Sequence, residues 1–287
     1  MERYTIEGTV NLEKMAIERL KCFEDFALQM HPNGYYVAYS GGKDSDCIRI
    51  LCELAGVKHE LWHNHTTVDA PETVYYVRSI VPEKQISKPD MSMWGLIVKK
   101  GIPPLQQIRY CCEILKEHGG EGRFVVTGVR RAESIKRSDG RVFQIRNVPK
   151  KDRIIFSDDN DENRRMLEPC QLKGKRTLNP IVDWTDDDVW EFLNYYGCKS
   201  NPLYKCGFKR VGCIGCPMAS FKHRRFQFER YPKYKELYIR AFDKMLKVEG
   251  REHKDWKSGE EVFDWWTSEK VDDLDIDGQI SLWEDAE

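Results

Sequence analysis

The sequence predicts an α/β fold built on a largely parallel sheet. Three observations carry that prediction. The apolar run Tyr35-Tyr36-Val37-Ala38-Tyr39 meets the turn Ser40-Gly41-Gly42 and then a helical pattern of Ile48, Leu51, Cys52 and Ala55. The run Phe124-Val125-Val126-Thr127-Gly128 leads into a second strand-to-helix junction at Arg130. Around both, strand-like and helix-like segments alternate with short connections, the mark of βαβ units. The chain has 287 residues. That length buries one large core, or one core with a small appended domain.

The elements follow in order. Asn11 caps a predicted helix to Met30, with Leu12, Met15, Ala16, Leu20, Phe23 and Ala27 on one stripe. Strand Tyr35–Tyr39 precedes helix Asp44–Ala55, which stops at Gly56. A strand at His59–Asn64, a helix from Pro71 and a short strand near Lys84–Ser87 come next. A short helix covers Met91–Lys99, Pro103-Pro104 interrupts, and a helix at Arg109–His118 ends at Gly119-Gly120. Thr185-Asp186-Asp187-Asp188 reads as a capping box for a helix ending at Gly197. Helical patterns follow from Phe221 to Val248. Cys22, Cys47 and Cys52 sit on apolar helix faces and read as core residues. The acidic run Asp158–Asn163 lacks the glycine and terminal glutamate of a calcium loop and reads as exposed loop. The expected organisation is a helical segment over 1–32, an α/β domain with the cysteines over 33–220, and a helical, tryptophan-rich extension over 221–287 packed on that domain.

Composition narrows the function. The formal net charge is −1, so no global charge drives the chain toward nucleic acid or acidic membranes. No apolar run approaches the ~20 residues of a membrane span. The first residues, Met1 to Glu7, lack an apolar signal core, so the expected location is cytoplasmic. Ten cysteines in such a chain favour metal or redox chemistry over structural disulfides.

Two groups of residues carry chemistry. The first is Ser40-Gly41-Gly42-Lys43-Asp44-Ser45. Its glycines let the backbone approach a ligand, and its N–H groups with the following helix N-terminus cradle an anion. Ser40 and Ser45 add hydroxyls and Lys43 adds charge, so a phosphate or pyrophosphate site is expected. The spacing is not that of a Walker A loop. The second group is Cys111-Cys112 with Cys213-Ile214-Gly215-Cys216. Four thiolates suit a tetrahedral zinc or a [4Fe–4S] cluster. Buried free thiols or a redox disulfide are the alternatives. Cys170 and Cys206 lie near enough in sequence to keep the ligand choice open.

The loop resembles the PP-loop of ATP pyrophosphatases, SGGxDS, which cleave ATP between the α and β phosphates and adenylate a substrate. Cys-Cys, a long interval, then CxxC resembles the cluster pattern of adenylyl-sulfate reductases. Gly128-Val129-Arg130-Arg131-Ala132-Glu133-Ser134-Ile135-Lys136-Arg137, Asn179–Trp190, and Asn201-Pro202-Leu203-Tyr204 leading to Gly212–Pro217 are similar to three further segments of that family. From Tyr35 to Pro217 the chain is thus identified as a member of the phosphoadenosine phosphosulfate (PAPS) reductase family. The resemblance implies a Rossmann-like, adenine nucleotide α-hydrolase-like sheet, twisted and with helices on both faces. It implies an adenine nucleotide, either ATP or adenylyl sulfate/PAPS, held by Ser40–Ser45, Gly128, Arg130, Arg131, Glu133 and Ser134. Catalysis falls to Lys43, Asp44, Arg130 and Arg137, with Mg²⁺ neutralising the leaving pyrophosphate. It implies a [4Fe–4S] cluster on Cys111, Cys112, Cys213 and Cys216.

Two departures from the family pattern matter. His65-Thr66-Thr67 stands where the family carries Asp-Thr-Gly, so His65 and Thr66 either touch the nucleotide or serve structure. Sulfonucleotide reductases carry a C-terminal Glu-Cys-Gly whose cysteine attacks sulfur, and no cysteine follows Cys216 here. The leading expectation is therefore an ATP pyrophosphatase that adenylates an acceptor for sulfur transfer. Its functional analogue is the ATP pyrophosphatase component of DNA phosphorothioation systems. The acceptor is DNA, RNA or a small metabolite, and a cysteine desulfurase is the expected sulfur source. Basic and aromatic residues from Lys205 to Tyr231, among them Phe208, Lys222, Arg224, Arg225, Phe226 and Arg230, suit nucleic acid or an ordinary surface helix. The alternatives are a sulfonucleotide reductase using thioredoxin and a non-catalytic nucleotide- and cluster-binding accessory protein.

Overall fold

The structure is a computed structural model that describes residues 2–5, 8–106, 108–116, 119–133, 142–146, 175–249 and 256–268. In chain order its strands are β1 (Glu2–Thr5), β2 (Gly8–Asn11), β3 (Tyr35–Ala38), β4 (His59–Asn64), β5 (Ile86–Ser87), β6 (Phe124–Val126), β7 (Phe143–Arg146) and β8 (Lys175–Leu178). Its helices are α1 (Leu12–Cys22), α2 (Glu24–Met30), α3 (Lys43–Ala55), α4 (Pro71–Arg78), α5 (Met93–Lys100), α6 (Tyr110–Leu115), α7 (Asp186–Tyr195), α8 (Phe221–Arg230), α9 (Pro232–Leu246) and α10 (Gly259–Trp266). Among the described residues no helix is long and apolar enough to cross a membrane. Two compact, discontinuous units emerge. The first is Met1–His63, Glu72–Ser87 and Gly119–Val211; the second is Asn64–Pro71, Lys88–His118 and Gly212–Glu287.

The first unit holds a six-stranded sheet in the order β5-β4-β3-β6-β8-β7. β3 runs parallel to β4 and β6, and β6 runs parallel to β8. β7 closes one edge antiparallel to β8. The chain passes from β3 to β4 on one side and later to β6 on the other. The carboxyl ends of β3 and β6 thus form a topological switch point, where open α/β sheets bind ligands. α1, α3 and α7 lie side by side. Their buried Leu12, Ala16, Leu20, Ile48, Leu51, Val189 and Phe192 join Tyr35, Val37, Phe124 and Val126 of the sheet in one core. Tyr36, on the opposite pleat of β3, stacks on Trp62.

Several expectations change here. The helix foreseen from Asn11 to Met30 is two helices, although Asn11 does cap it by accepting the Lys14 N–H at 3.0 Å. The chain breaks at Phe23, with φ −107°, and the ring packs on Phe124 and Phe143. Cys22, read as core, is exposed because it ends α1 just before that break, whereas Cys47 and Cys52 are buried as expected. The β1–β2 hairpin, β7 and β8 carry no long apolar run and escaped sequence reasoning. The acidic run at 158–163, Cys170 and Trp283 lie outside the described residues.

In the second unit, α9 packs against α5 and α10. Phe228, Tyr238, Phe242, Phe263 and Trp266 form its aromatic interior. Trp266 is fully buried and donates its indole N–H to the Pro104 carbonyl at 2.7 Å. Trp256 and Trp265 pair ring to ring at 4.8 Å.

Candidate functional site

In the first unit, three consecutive strand ends deliver the site. The loop after β3 supplies Ser40 to Ser45, the segment after β6 supplies Gly128, Arg130 and Arg131, and the segment after β8 leads into α7 at Asp186. Gly41 has φ +73°, and a Cβ there would stand 2.8 Å from Val77, so glycine is needed for both shape and space. Ser45 Oγ accepts the Gly42 N–H at 3.1 Å and donates to the Gly42 carbonyl at 2.8 Å, fixing the turn at the N-terminus of α3. Ser40 Oγ lies 3.4 Å from the same N–H. The Lys43 N–H donates to the Tyr204 hydroxyl at 2.8 Å. Asn201 donates to the Gly41 carbonyl at 3.1 Å and to Thr73 Oγ1 at 3.2 Å.

Four charges close into a ring beside this loop. Lys43 Nζ lies 3.3 Å from Asp44 Oδ2 and 3.3 Å from Asp186 Oδ1. Arg130 Nε lies 2.7 Å from Asp44 Oδ1, and its Nη2 lies 2.5 Å from Asp186 Oδ1. The Lys43 and Arg130 side chains are 7% and 1% exposed, while that of Asp186 is 69% exposed. Burial works against the Asp186 charge, but the Arg130 hydrogen bond and Lys43 outweigh it and hold the carboxyl below its usual value. Arg131 is half-exposed and pairs with Asp183, which also pairs with the buried Arg19. The structure therefore brings Ser40, Gly41, Gly42, Lys43, Asp44, Ser45, Gly128 and Arg130 together, with Arg130 gripped by carboxylates, while Arg131 turns to Asp183. Ser134 and Arg137 lie outside the described residues, and Glu133 is described only in its backbone, within a short 3-10 turn.

Gly128 is a close-approach glycine. A Cβ there would meet the Asp44 backbone at 2.9 Å. Gly128→Ala is expected to displace Asp44 from Arg130 and lower stability by about 1–3 kcal/mol, read by chemical denaturation.

Behind the loop, Asp46 is fully buried and accepts hydrogen bonds from Tyr39 at 2.5 Å and Tyr76 at 3.0 Å. Burial pushes its carboxyl up to about 6, against the pull of both tyrosines. A carboxyl raised in the folded state favours folding while it is protonated. That contribution is whole below the unfolded value near 4 and is lost as pH rises through about 6. Asp46→Asn is therefore expected to gain stability relative to wild type between pH 4 and pH 7, by about 3 kcal/mol at most. Urea denaturation of both proteins at the two pH values checks this.

The second unit holds the other predicted group. Cys111 and Cys112 open α6, and Cys213 and Cys216 flank a turn in which Gly215 has φ +72°. A Cβ on Gly215 would press within 3.1 Å of Phe228, Trp266 and Tyr238. The Cys111 thiol is pushed far up by hydrogen bonding to Cys112, by burial, and by the charges of Cys112, Cys213 and Cys216. The other three sulfurs thus lie within electrostatic reach of Cys111. Burial pushes Cys213 up to about 11, and its thiol donates to Thr66 Oγ1 at 3.4 Å. Lys116 is held charged well above the ordinary lysine value, first by Cys213 and then by Cys216, Asp69 and Cys112. His65 and Thr66 belong to this unit. His65 Nδ1 lies 3.0 Å from Asp69, and Thr66 donates from both its N–H and its hydroxyl to the same carboxylate.

Sequence reasoning missed four residues. In sequence Asp186 reads only as part of a helix cap. Tyr204 and Asn201 stand out only as a motif. Lys116 carried one signal, its i+4 spacing from Cys112 on the helix. Of the basic and aromatic stretch, Arg224 and Phe208 are buried, whereas Lys222, Arg225, Phe226 and Arg230 are exposed.

Comparisons with known proteins follow the same lines. Residues 34–219 match the phosphoadenosine phosphosulfate reductase domain family. Adenosine 5'-phosphosulfate reductase of Mycolicibacterium smegmatis is 24% identical over 73% of this chain and 80% of its own length. The protein called uncharacterized protein MJ0973 of Methanocaldococcus jannaschii is 25% identical over 86% of this chain and 56% of its own length. The chain spans about half the length of several curated relatives it matches, this one among them. Among solved structures, phosphoadenylyl-sulfate reductase from Candida auris in its phosphate complex aligns at 18% identity and TM-score 0.45, covering 70% of this chain and 92% of its own. With about two-thirds of its residues matched and its motifs on consecutive strand ends, the chain belongs to the phosphoadenosine phosphosulfate reductase domain family.

Proposed function

We propose that the protein binds ATP at Ser40–Ser45, adenylates an acceptor oxygen and releases pyrophosphate, priming the acceptor for sulfur. One observation carries this reading: an intact PP-loop at the switch point, with its lysine buried beside the loop. In the reaction the acceptor oxygen attacks the α-phosphorus, the bond to the bridging oxygen breaks, and pyrophosphate leaves with that oxygen. The Lys43 N–H and the Lys43 ammonium would hold the leaving group, a placement at a helix N-terminus that favours anions. The Tyr204 hydroxyl now occupies the Lys43 N–H and would give way to a phosphate oxygen. Asp44 orients Lys43 and Arg130. Its carboxylate and that of Asp186 are hard oxygen donors of the kind Mg²⁺ takes, and the ion would neutralise charge on the phosphates.

The gathering of Cys111, Cys112, Cys213 and Cys216 fits a metal centre. A zinc tetrahedron with bonds of ~2.3 Å places its sulfurs ~3.8 Å apart. The Cys-Cys and CxxC spacing, which resembles the cluster pattern of adenylyl-sulfate reductases, favours a [4Fe–4S] cluster over zinc. When bound, such a cluster supplies redox or sulfide-handling chemistry. Lys116 would offset its negative charge. The exposed Lys222, Arg225, Phe226 and Arg230 on α8 support a nucleic acid acceptor, by phosphate pairing and base stacking.

A second reading, thiol-dependent reduction of adenylyl sulfate, is favoured by the activity for which several relatives are named. Anaerobic purification followed by iron and sulfide analysis tests the cluster. Incubation with adenylyl sulfate and reduced thioredoxin tests the second reading: sulfite release at a catalytic rate supports it and removes the first.

A further inference from the structure

We propose that Asp186 makes anion binding at the PP-loop conditional on a divalent cation, so that it selects metal-chelated phosphates over free anions. The inference rests on the reading of Ser40–Ser45 as a phosphate site. Asp186 itself lies outside the loop and outside the residues to which the family resemblance gave a role.

Charge balance leads to it. Lys43 and Arg130 are the two buried cations beside the loop, and Asp44 and Asp186 are their two counterions. The four charges sum to zero, so an arriving anion meets no unbalanced positive side chain in this ring. The two carboxylates are not equivalent. Asp44 is 21% exposed and is locked to both cations, one on each oxygen. Asp186 is 69% exposed and touches both cations through the same oxygen, Oδ1. It therefore caps the pair from the solvent side and is the counterion an anion must compete with. Moving it away loses two charge-assisted bonds, one of them at 2.5 Å to a buried guanidinium. A free pyrophosphate or adenylyl sulfate has to do this unaided, and it then lies against a displaced carboxylate of like charge. An anion that carries a divalent cation does not face that repulsion. Its metal gives the displaced carboxylate a new partner of the hard-oxygen type, while Lys43 and Arg130 turn to the phosphate.

The position of Asp186 makes the effect separable from helix capping. Asp187 shares the first turn of α7 and the same helix dipole, is exposed, and takes no part in the ring. The cap itself is Thr185 with Asp188.

The test is calorimetric titration of the purified protein with inorganic pyrophosphate, with and without Mg²⁺. Wild type is expected to bind much more tightly with Mg²⁺. Asp186→Asn is expected to bind metal-free pyrophosphate roughly tenfold more tightly than wild type and to lose most of the Mg²⁺ effect. Asp187→Asn is expected to behave as wild type in both conditions. Circular dichroism melting verifies folding, and Asp186→Ser is the second variant should the asparagine fail to fold. Equal affinities of wild type and Asp186 variants in both conditions would overturn the inference while leaving the phosphate site intact. Absence of pyrophosphate binding by wild type with Mg²⁺ would overturn the phosphate-site reading as well. Failure to release pyrophosphate from ATP would bear on the proposed reaction alone.

Discussion

Lys43→Ala is expected to lower pyrophosphate release from ATP by on the order of 100- to 1,000-fold, the usual loss when one preorganised charge at a developing anion is removed. The side chain is 7% exposed and its ammonium lies between Asp44 and Asp186. Both carboxylates keep Arg130 when the lysine goes, at 2.7 and 2.5 Å, so the ring shrinks without leaving a buried carboxylate unpaired. Stability is therefore expected to fall far less than activity. Steady-state kinetics together with a denaturation curve separates the two effects. A variant that keeps wild-type turnover would show that the lysine does not meet the leaving group.

Cys213→Ser is expected to have the second large effect, loss of bound iron and of the broad visible absorbance of an iron–sulfur protein. Cys213 is buried, Thr66 and Asp69 support its segment, and the Ile214 N–H donates to the Val68 carbonyl at 2.8 Å. These contacts position the sulfur. A serine keeps the shape and the hydrogen bond but removes the soft thiolate ligand that iron–sulfur clusters take. Metal analysis of wild type and variant reads the result directly. Stoichiometric zinc and no iron in the anaerobically purified wild type would contradict the cluster assignment.

The parts of the site that were legible in the sequence are those written as local chemistry. Gly42 and Gly56 bracket α3 as expected, the latter with φ +67°. Thr185 and Asp188 form the predicted reciprocal cap. The two cysteine pairs, a hundred residues apart, fall in one unit, where the charges of Cys213 and Cys216 reach Cys111. What was illegible depends on tertiary neighbours. β8 reads Lys-Arg-Thr-Leu, which has no strand-like apolar run, yet its pairing with β6 aims the next segment at the loop. Without that strand nothing in the sequence places Asp186 beside Lys43. The break at Phe23 is likewise set by the rings of Phe124 and Phe143, distant in sequence, and it takes Cys22 out of the core. In sequence, Arg130 reads as a phosphate ligand by residue type alone. Its depth, and its grip by two carboxylates, came only with the fold.

The central claim is that Ser40–Ser45 holds pyrophosphate while ATP is cleaved at the α-phosphorus. The most direct test supplies ATP labelled in its γ-phosphate, Mg²⁺ and a mixture of DNA, RNA and small-metabolite acceptors, then separates the labelled products. The expected result is label in pyrophosphate, dependent on an acceptor and lowered on the order of 100- to 1,000-fold in Lys43→Ala. Label that stays in ATP, or that leaves as single phosphate, would contradict the claim.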